Sequence, residues 1–207
     1  MQNSFNLTAD LITLRKNHPD KLIDLLMDAI RARNLSAIGH IIDAGIDLNA
    51  LNSAGYTALH WAARNGHTDV VKLLVNKGAK LDILNKDGNT ALHLAARNGR
   101  IDVVKLLVDQ VGAGLDLNAL NSAGETALHL AVRNGRTDVV KLLVDKGAKL
   151  DILNNAGNTA LHLAAYYGHN DAVKFLRPPT GAVACQRPDK TPIDETPIAA
   201  IRAALGL

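Results

Sequence analysis

The string Gly-x-Thr-Ala-Leu-His occurs at 55–60, 88–93, 124–129 and 157–162, so its glycines are separated by 33, 36 and 33 residues. A chain that repeats itself at this period is confined to architectures in which one small unit stacks on copies of itself. The unit is clearest from Gly55, as GYTALHWAARNGHTDVVKLLVNKGAKLDILNKD. It returns with few changes from Gly88 and Gly124 and decays from Gly157.

Each part of the unit has a physical reading. Thr57 can cap a helix, with His60 at the third helical position, where a side chain reaches back to the cap. Leu59, Ala62 and Ala63 make an apolar stripe at helical spacing, and Gly66 stops that helix. Thr68 and Asp69 open a second helix with an acid in its first turn. Val70, Val71, Leu73 and Leu74 give this helix two adjacent buried rows, and Gly78 ends it. Residues 79–87 read as a projecting turn or short hairpin. One helix pair cannot bury its own faces, but stacked pairs can, so the expected fold is all-α: a curved solenoid of helix-turn-helix units. Aromatic residues at 3% suit a core of Ala, Leu and Val.

The run T-A-L-H-x-A-A-R-N-G-x-x-D-V-V-K-L-L-V-x-K-G-A closely resembles the ankyrin repeat. Ala58, Ala91, Ala127 and Ala160 stand where that family usually has proline, and alanine serves a helix equally well. The resemblance is strong over 55–176 and weaker over 22–54. It divides the chain into an extension (1–21), an N-terminal capping repeat (22–54) and repeats at 55–87, 88–123 and 124–156. A degenerate repeat (157–188) and a C-terminal cap (189–207) follow. In the first cap the T-A-L-H signature is missing and polar Asp24, Asp28 and Arg31 suit one wet face. A short helix is expected over 8–17, ended by His18-Pro19. After Leu176, Pro178-Pro179 break the pattern, 177–190 read as irregular, and Thr196-Pro197 would open a last helix over 198–205.

Val111-Gly112-Ala113 form a three-residue insertion. DLNALNSAG recurs at 47–55 and 116–124, and KGAKLDILN at 77–85 and 146–154, both offset by 69 residues, which points to duplication of a two-repeat unit.

The resemblance implies a concave face, built from first helices and turns, that commonly contacts protein partners. Near the first-helix end stand Arg64, Arg97, Arg133 and Tyr166, with Arg31 matching in the capping repeat. The next position carries Asn65, Asn98, Asn134 and Tyr167. Just after the opening glycine come Tyr56, Asn89, Glu125 and Asn158. Packed helices lie about 8–10 Å apart, so these residues should form a ladder, basic and amide-rich and then aromatic, suited to an acidic or carboxylate-bearing polypeptide. A competing account is that arginine in a last turn favours the helix dipole and that duplication copied it. Tyr166-Tyr167 departs from the copied Arg-Asn and carries more weight. Lys72, Lys105, Lys141 and Lys174 lie three residues after Asp69, Asp102, Asp138 and Asp171, as a solvated convex face would place them. Trp61 stands where the other complete repeats have leucine and reads as core.

Catalysis and metal binding find little support. His60, His93, His129 and His162 are one repeat apart and cannot converge on one ion. No Cys-x-x-Cys, His-Glu-x-x-His or Gly-x-Ser-x-Gly pattern is present, and Gly112-Ala113-Gly114 lacks the third glycine of a dinucleotide loop. Cys185 is the only cysteine and reads as a free loop thiol, which excludes an intrachain disulfide and fits a reducing compartment. No cofactor is expected. Nucleic acid is the rival partner, supported by an isoelectric point near 9.0 and a basic groove. Against it stand a net charge of only +3, abundant Asp and few aromatics for stacking. A structural or designed scaffold without a natural partner is a third reading. The expected state is a cytoplasmic monomer, although a protein delivered by a microbe into a host cell would look the same. No run of about 18 apolar residues, the length of a membrane span, occurs.

Overall fold

A computed structural model describes residues 7–110 and 114–176. Its helices are α1 Leu7–Asn17, α2 Pro19–Arg31, α3 Leu35–Asp43, α4 Ala58–Asn65, α5 Thr68–Asn76 and α6 Ala91–Arg97, followed by α7 Ile101–Val108, α8 Ala127–Arg133, α9 Thr137–Asp145, α10 Ala160–Tyr166 and α11 Asn170–Leu176. The first helices α2, α4, α6, α8 and α10 pack side by side in one layer, and α5, α7, α9 and α11 form the second. No β-strand is found among the described residues, and the segments between pairs are turns. The chain is an all-α solenoid.

The first helices α4, α6, α8 and α10 start in the same way. Thr57, Thr90, Thr126 and Thr159 accept the backbone N–H of His60, His93, His129 and His162 at 3.2, 3.4, 3.3 and 3.3 Å. In return the imidazole Nδ1 accepts the threonine N–H at 3.2 Å in every copy. A backbone N–H can only donate, so Nδ1 carries no proton and Nε2 carries it. In three copies that Nε2–H donates to the next repeat's backbone, at Asn89 O (2.9 Å), Glu125 O (3.0 Å) and Asn158 O (3.2 Å). The histidines are thus caps and inter-repeat ties, buried with the threonines that hold them.

The apolar stripes fill the space between layers. Leu59, Ala62, Ala63, Val70, Val71 and Leu74 are buried, as are their counterparts in later repeats except the half-buried Leu161, while Leu73 is also only half-buried. Small alanines let successive first helices approach closely, and each fully buried leucine contributes roughly 1.5–3 kcal/mol. Gly66 closes α4 with φ 79°, a left-handed conformation suited to glycine.

The N-terminal helix ends as its sequence implies. α1 stops at Asn17, and Pro19 is the first residue of α2. α1 packs on α2 and α3, burying Leu11, and Arg15 Nη1 donates to Gly45 O at 2.9 Å. The insertion at 111–113, Cys185, the segment 177–190 and the helix over 198–205 lie outside the described residues.

Candidate functional site

The ends of α2, α4, α6 and α8 carry an arginine, replaced by Tyr166 in α10, and the surroundings of that arginine change from copy to copy. At the N-terminal end, the Arg31 guanidinium lies 5.1 Å from the Trp61 ring centre. Arg64 lies 6.0 Å from the same ring and 5.9 Å from Tyr56. Tyr56 meets Trp61 edge to face at 6.5 Å. Trp61 packs partly on the core, as its leucine counterparts suggest, yet it also anchors two guanidinium groups. Its buried Nε1 has no hydrogen-bond partner among the described residues.

In the centre the residue after the opening glycine decides the outcome. Asn89 is buried and accepts from Asn121 Nδ2 at 3.0 Å, which leaves the exposed Arg97 without a side-chain hydrogen bond or ion pair among the described residues. Glu125 is also buried, its side chain 5% exposed, and it receives Arg133 Nη1 at 2.9 Å. The two arginines share a cleft of about 420 Å³, lined also by Lys86, Asp87, Asn121, Ser122 and Ala123. At the far end Tyr166 is 67% exposed, and its ring meets Tyr167 edge to face at 5.0 Å. Tyr167 in turn stacks on His169 at 6.2 Å.

The asparagines beside the arginines have a local task. Nδ2 of Asn65, Asn98 and Asn134 donates to the carbonyl four residues earlier, on Trp61, Leu94 and Leu130, at 2.9, 2.8 and 2.8 Å. These bonds reinforce the helix end, since the Leu94 and Leu130 carbonyls also accept the backbone N–H of the same asparagine at 3.2 Å. Asn158 is half-buried, and its N–H donates to Asn154 Oδ1 at 2.9 Å. Asn89 and Glu125 therefore influence the face through what they hold, and the exposed surface belongs to Arg64, Arg97, Tyr166 and Tyr167.

Two residues that matter here were not singled out in the sequence. Arg100 Nε donates to Arg64 O at 3.1 Å, and Arg136 Nε to Arg97 O at 3.3 Å. Each crosses from one repeat to the preceding first helix and fixes the backbone that carries a groove arginine. The signal was available, since both follow the helix-ending glycine where the first full repeat has His67. The lysine ladder is less uniform than its spacing. Lys105 and Lys174 reach Asp102 and Asp171 at 3.9 and 2.7 Å, whereas Asp69 pairs with Arg33 at 2.9 Å. Lys141 lies over Phe175 at 5.9 Å.

The capping bonds account for the histidines without a metal. Among the described residues no group of His, Cys, Asp and Glu could hold one, and no described helix is long and apolar enough to cross a membrane.

Comparison with known proteins agrees with this architecture. Osteoclast-stimulating factor 1 of Bos taurus is 41% identical over 49 residues, covering 24% of this chain and 23% of that protein. The Monopterus albus protein of that name is 43% identical over 47 residues, 23% of this chain and 22% of its own. Acyl-CoA-binding domain-containing protein 6 of Xenopus tropicalis is 36% identical over 63 residues, 30% of this chain and 20% of its own. The chain thus spans less than a quarter of these relatives' length. A family model described as ankyrin repeats (3 copies) matches residues 26–121 and 111–187. With capped helix pairs stacked in two layers and that match over most of its length, the chain belongs to the ankyrin-repeat family.

Proposed function

We propose that this chain binds an acidic segment of a partner protein along the face formed by its first helices and turns. Ankyrin repeats are generally non-enzymatic protein-interaction modules, and fold alone does not choose the partner. The observation that carries the reading is Arg97, exposed at the cleft with no side-chain partner among the described residues. An uncommitted guanidinium in a shaped cleft can take a carboxylate in a bidentate pair at little desolvation cost to the protein. Arg64, held over a ring, extends the positive row towards Arg31, whose charge is shared with Asp28 at 2.6 Å, and Tyr166 with Tyr167 closes it with amphipathic surface of the type enriched at binding hot spots. Asn65, Asn98, Asn134, Tyr56, Asn89, Glu125 and Asn158 shape that face, and Arg133 contributes the part of its charge that Glu125 leaves.

The test is capture from lysate by the whole chain and by an Arg64→Glu/Arg97→Glu/Tyr166→Ala variant of matched helicity. Loss of one retained polypeptide on the variant supports the reading. Retention of the same set by both sinks it. Nucleic acid recovered in place of protein, with a steep dependence on salt, would favour the rival partner.

A further inference from the structure

We infer that the partner segment is amphipathic, with leucine-class side chains that lie on Leu84 and Leu120 beside the carboxylate received by Arg97. This rests on the groove reading for its location. Leu51, Leu84 and Leu120 are 46%, 49% and 50% exposed at the same point of successive repeats, in the pattern Leu-Asn-x-x-Gly. The following asparagine explains why the turn exists, but not why leucine precedes it. Oδ1 of Asn85 accepts from Asp87 N (3.0 Å) and Asn89 N (2.8 Å), and Oδ1 of Asn121 from Ala123 N and Glu125 N, both at 2.9 Å. The asparagine side chain folds the turn, and about half of the leucine's surface stays exposed, more than the fold needs from an apolar residue there.

The turns are also fixed to one another. Lys86 Nζ donates to Ser53 O at 2.9 Å, Ser122 N to Asp87 O at 3.1 Å and Asn155 N to Ala123 O at 3.0 Å. The leucines are therefore presented from a braced row at the repeat pitch, about 8–10 Å, and little order is lost when they are covered. Leu84 and Leu120 immediately precede Asn85 and Asn121, whose turns supply Lys86, Asp87, Asn121, Ser122 and Ala123 to the cleft of Arg97. Among the charges on that cleft, Glu125 is neutralised by Arg133, and Lys86 and Arg97 outnumber Asp87. Apolar rim and cationic floor are complementary to a segment that carries both leucine-class and acidic side chains.

A random displayed-peptide library selected on the whole chain tests this, with affinities of the enriched peptides then measured on Leu84→Ser/Leu120→Ser and on Arg97→Glu. The expected consensus combines Asp or Glu with leucine-class residues, and each variant weakens binding about tenfold or more, with helicity unchanged. If only Arg97→Glu weakens binding, the groove reading stands and the leucine inference is overturned. Sensitivity to the leucines alone overturns the acidic groove instead and leaves an apolar surface. Failure to enrich any saturable binder overturns both. Sedimentation of the free chain supplies the last outcome: self-association lost in the leucine variant would assign the row to a second copy and overturn a foreign partner.

Discussion

The N-terminal and central parts of the first-helix face are built from the same Arg-Asn-Gly ending and yet offer different chemistry. At the N-terminal part, Arg31 and Arg64 lie over Trp61 and Tyr56; Arg31 also pairs with the exposed Asp28 at 2.6 Å, and Arg64 has no ion pair among the described residues. In the centre, Arg97 has no side-chain partner among the described residues, and Arg133 is neutralised by the buried Glu125. The difference arises at two positions: the residue after the opening glycine, Tyr56, Asn89 or Glu125, and Trp61, where the next copies have Leu94 and Leu130. A repeat thus separates its tasks. Threonine, histidine and glycine set the frame, and two variable positions set how the charge on that frame is held.

If the frame is common to both parts, breaking it should cost the same wherever it is broken. His93→Ala removes a capping box and one of the two hydrogen bonds to the Glu125 carbonyl, which keeps the Asn121 N–H at 3.0 Å. The expected loss is about 1–3 kcal/mol, combining a weakened cap with one lost inter-repeat hydrogen bond. His129→Ala should match it within about 0.5 kcal/mol, despite the different arginines nearby. Urea denaturation of both variants measures this, and a clearly unequal pair would show that the frame is not shared.

The same histidines predict an acid response. Burial pushes His60, His93 and His129 below their ordinary value of 6.5, against the opposing pull of the carbonyls they bond. The folded chain therefore favours the neutral ring, while the unfolded chain protonates near 6.5. Their contribution is fully present above that pH and falls as the pH drops below it towards the lowered folded-state values. Denaturation midpoints at pH 7.5 and 5 should differ in that direction. A midpoint unchanged over this range would mean that burial does not hold the rings neutral in the folded chain.

Within the centre, Arg133 and Arg97 should part company. Arg133→Ala strands a buried carboxylate and should cost about 1–3 kcal/mol. Arg97→Ala on an exposed, unpaired side chain should stay within about 0.5 kcal/mol. Glu125→Gln, which removes the charge to be stranded, should relieve much of the Arg133→Ala cost. Equal costs for the two arginines would mean that Glu125 finds solvent or another partner once Arg133 is gone.

The frame was legible because its signals are local. Thr57 with His60, Gly66 as a stop, and the stripes of Leu59, Ala62, Val70 and Leu74 need only neighbours three or four residues away. The ladder positions could also be read, because the repeat fixes them. What each arginine does could not, since Arg31 finds Trp61 from another repeat and Arg133 finds Glu125 eight residues back only once helix and turn are packed. Glu125 read as an exposed groove residue for the same reason: nothing in its local sequence announces burial. The exposed leucines escaped notice because a leucine in a repeat is first taken for core, and only the packed turns show that Leu84 and Leu120 have no place there.

The smallest expected effect is the most specific to the N-terminal part. Trp61→Leu restores the residue found in the other complete repeats, so the core contact should survive and the change isolate the ring face. Two guanidinium groups lose their platform, each worth about 0.5–1 kcal/mol at an exposed site. The indole also takes with it a buried Nε1 that has no partner among the described residues, a gain that offsets part of the loss. The net change in stability is therefore ambiguous, and a double-mutant cycle is the sharper measurement. Arg64→Ala and Trp61→Leu should couple by about 0.5–1 kcal/mol, an energy from which the indole Nε1 cancels because both Trp61→Leu corners lack it. The same cycle between Arg97→Ala and Leu94→Ala at the matching positions of the next repeat should show no coupling above about 0.3 kcal/mol, since Arg97 is paired with no ring. Coupling of similar size in both repeats would trace the energy to the helix end, and the two parts of the face would then differ in composition but not in how their arginines are held.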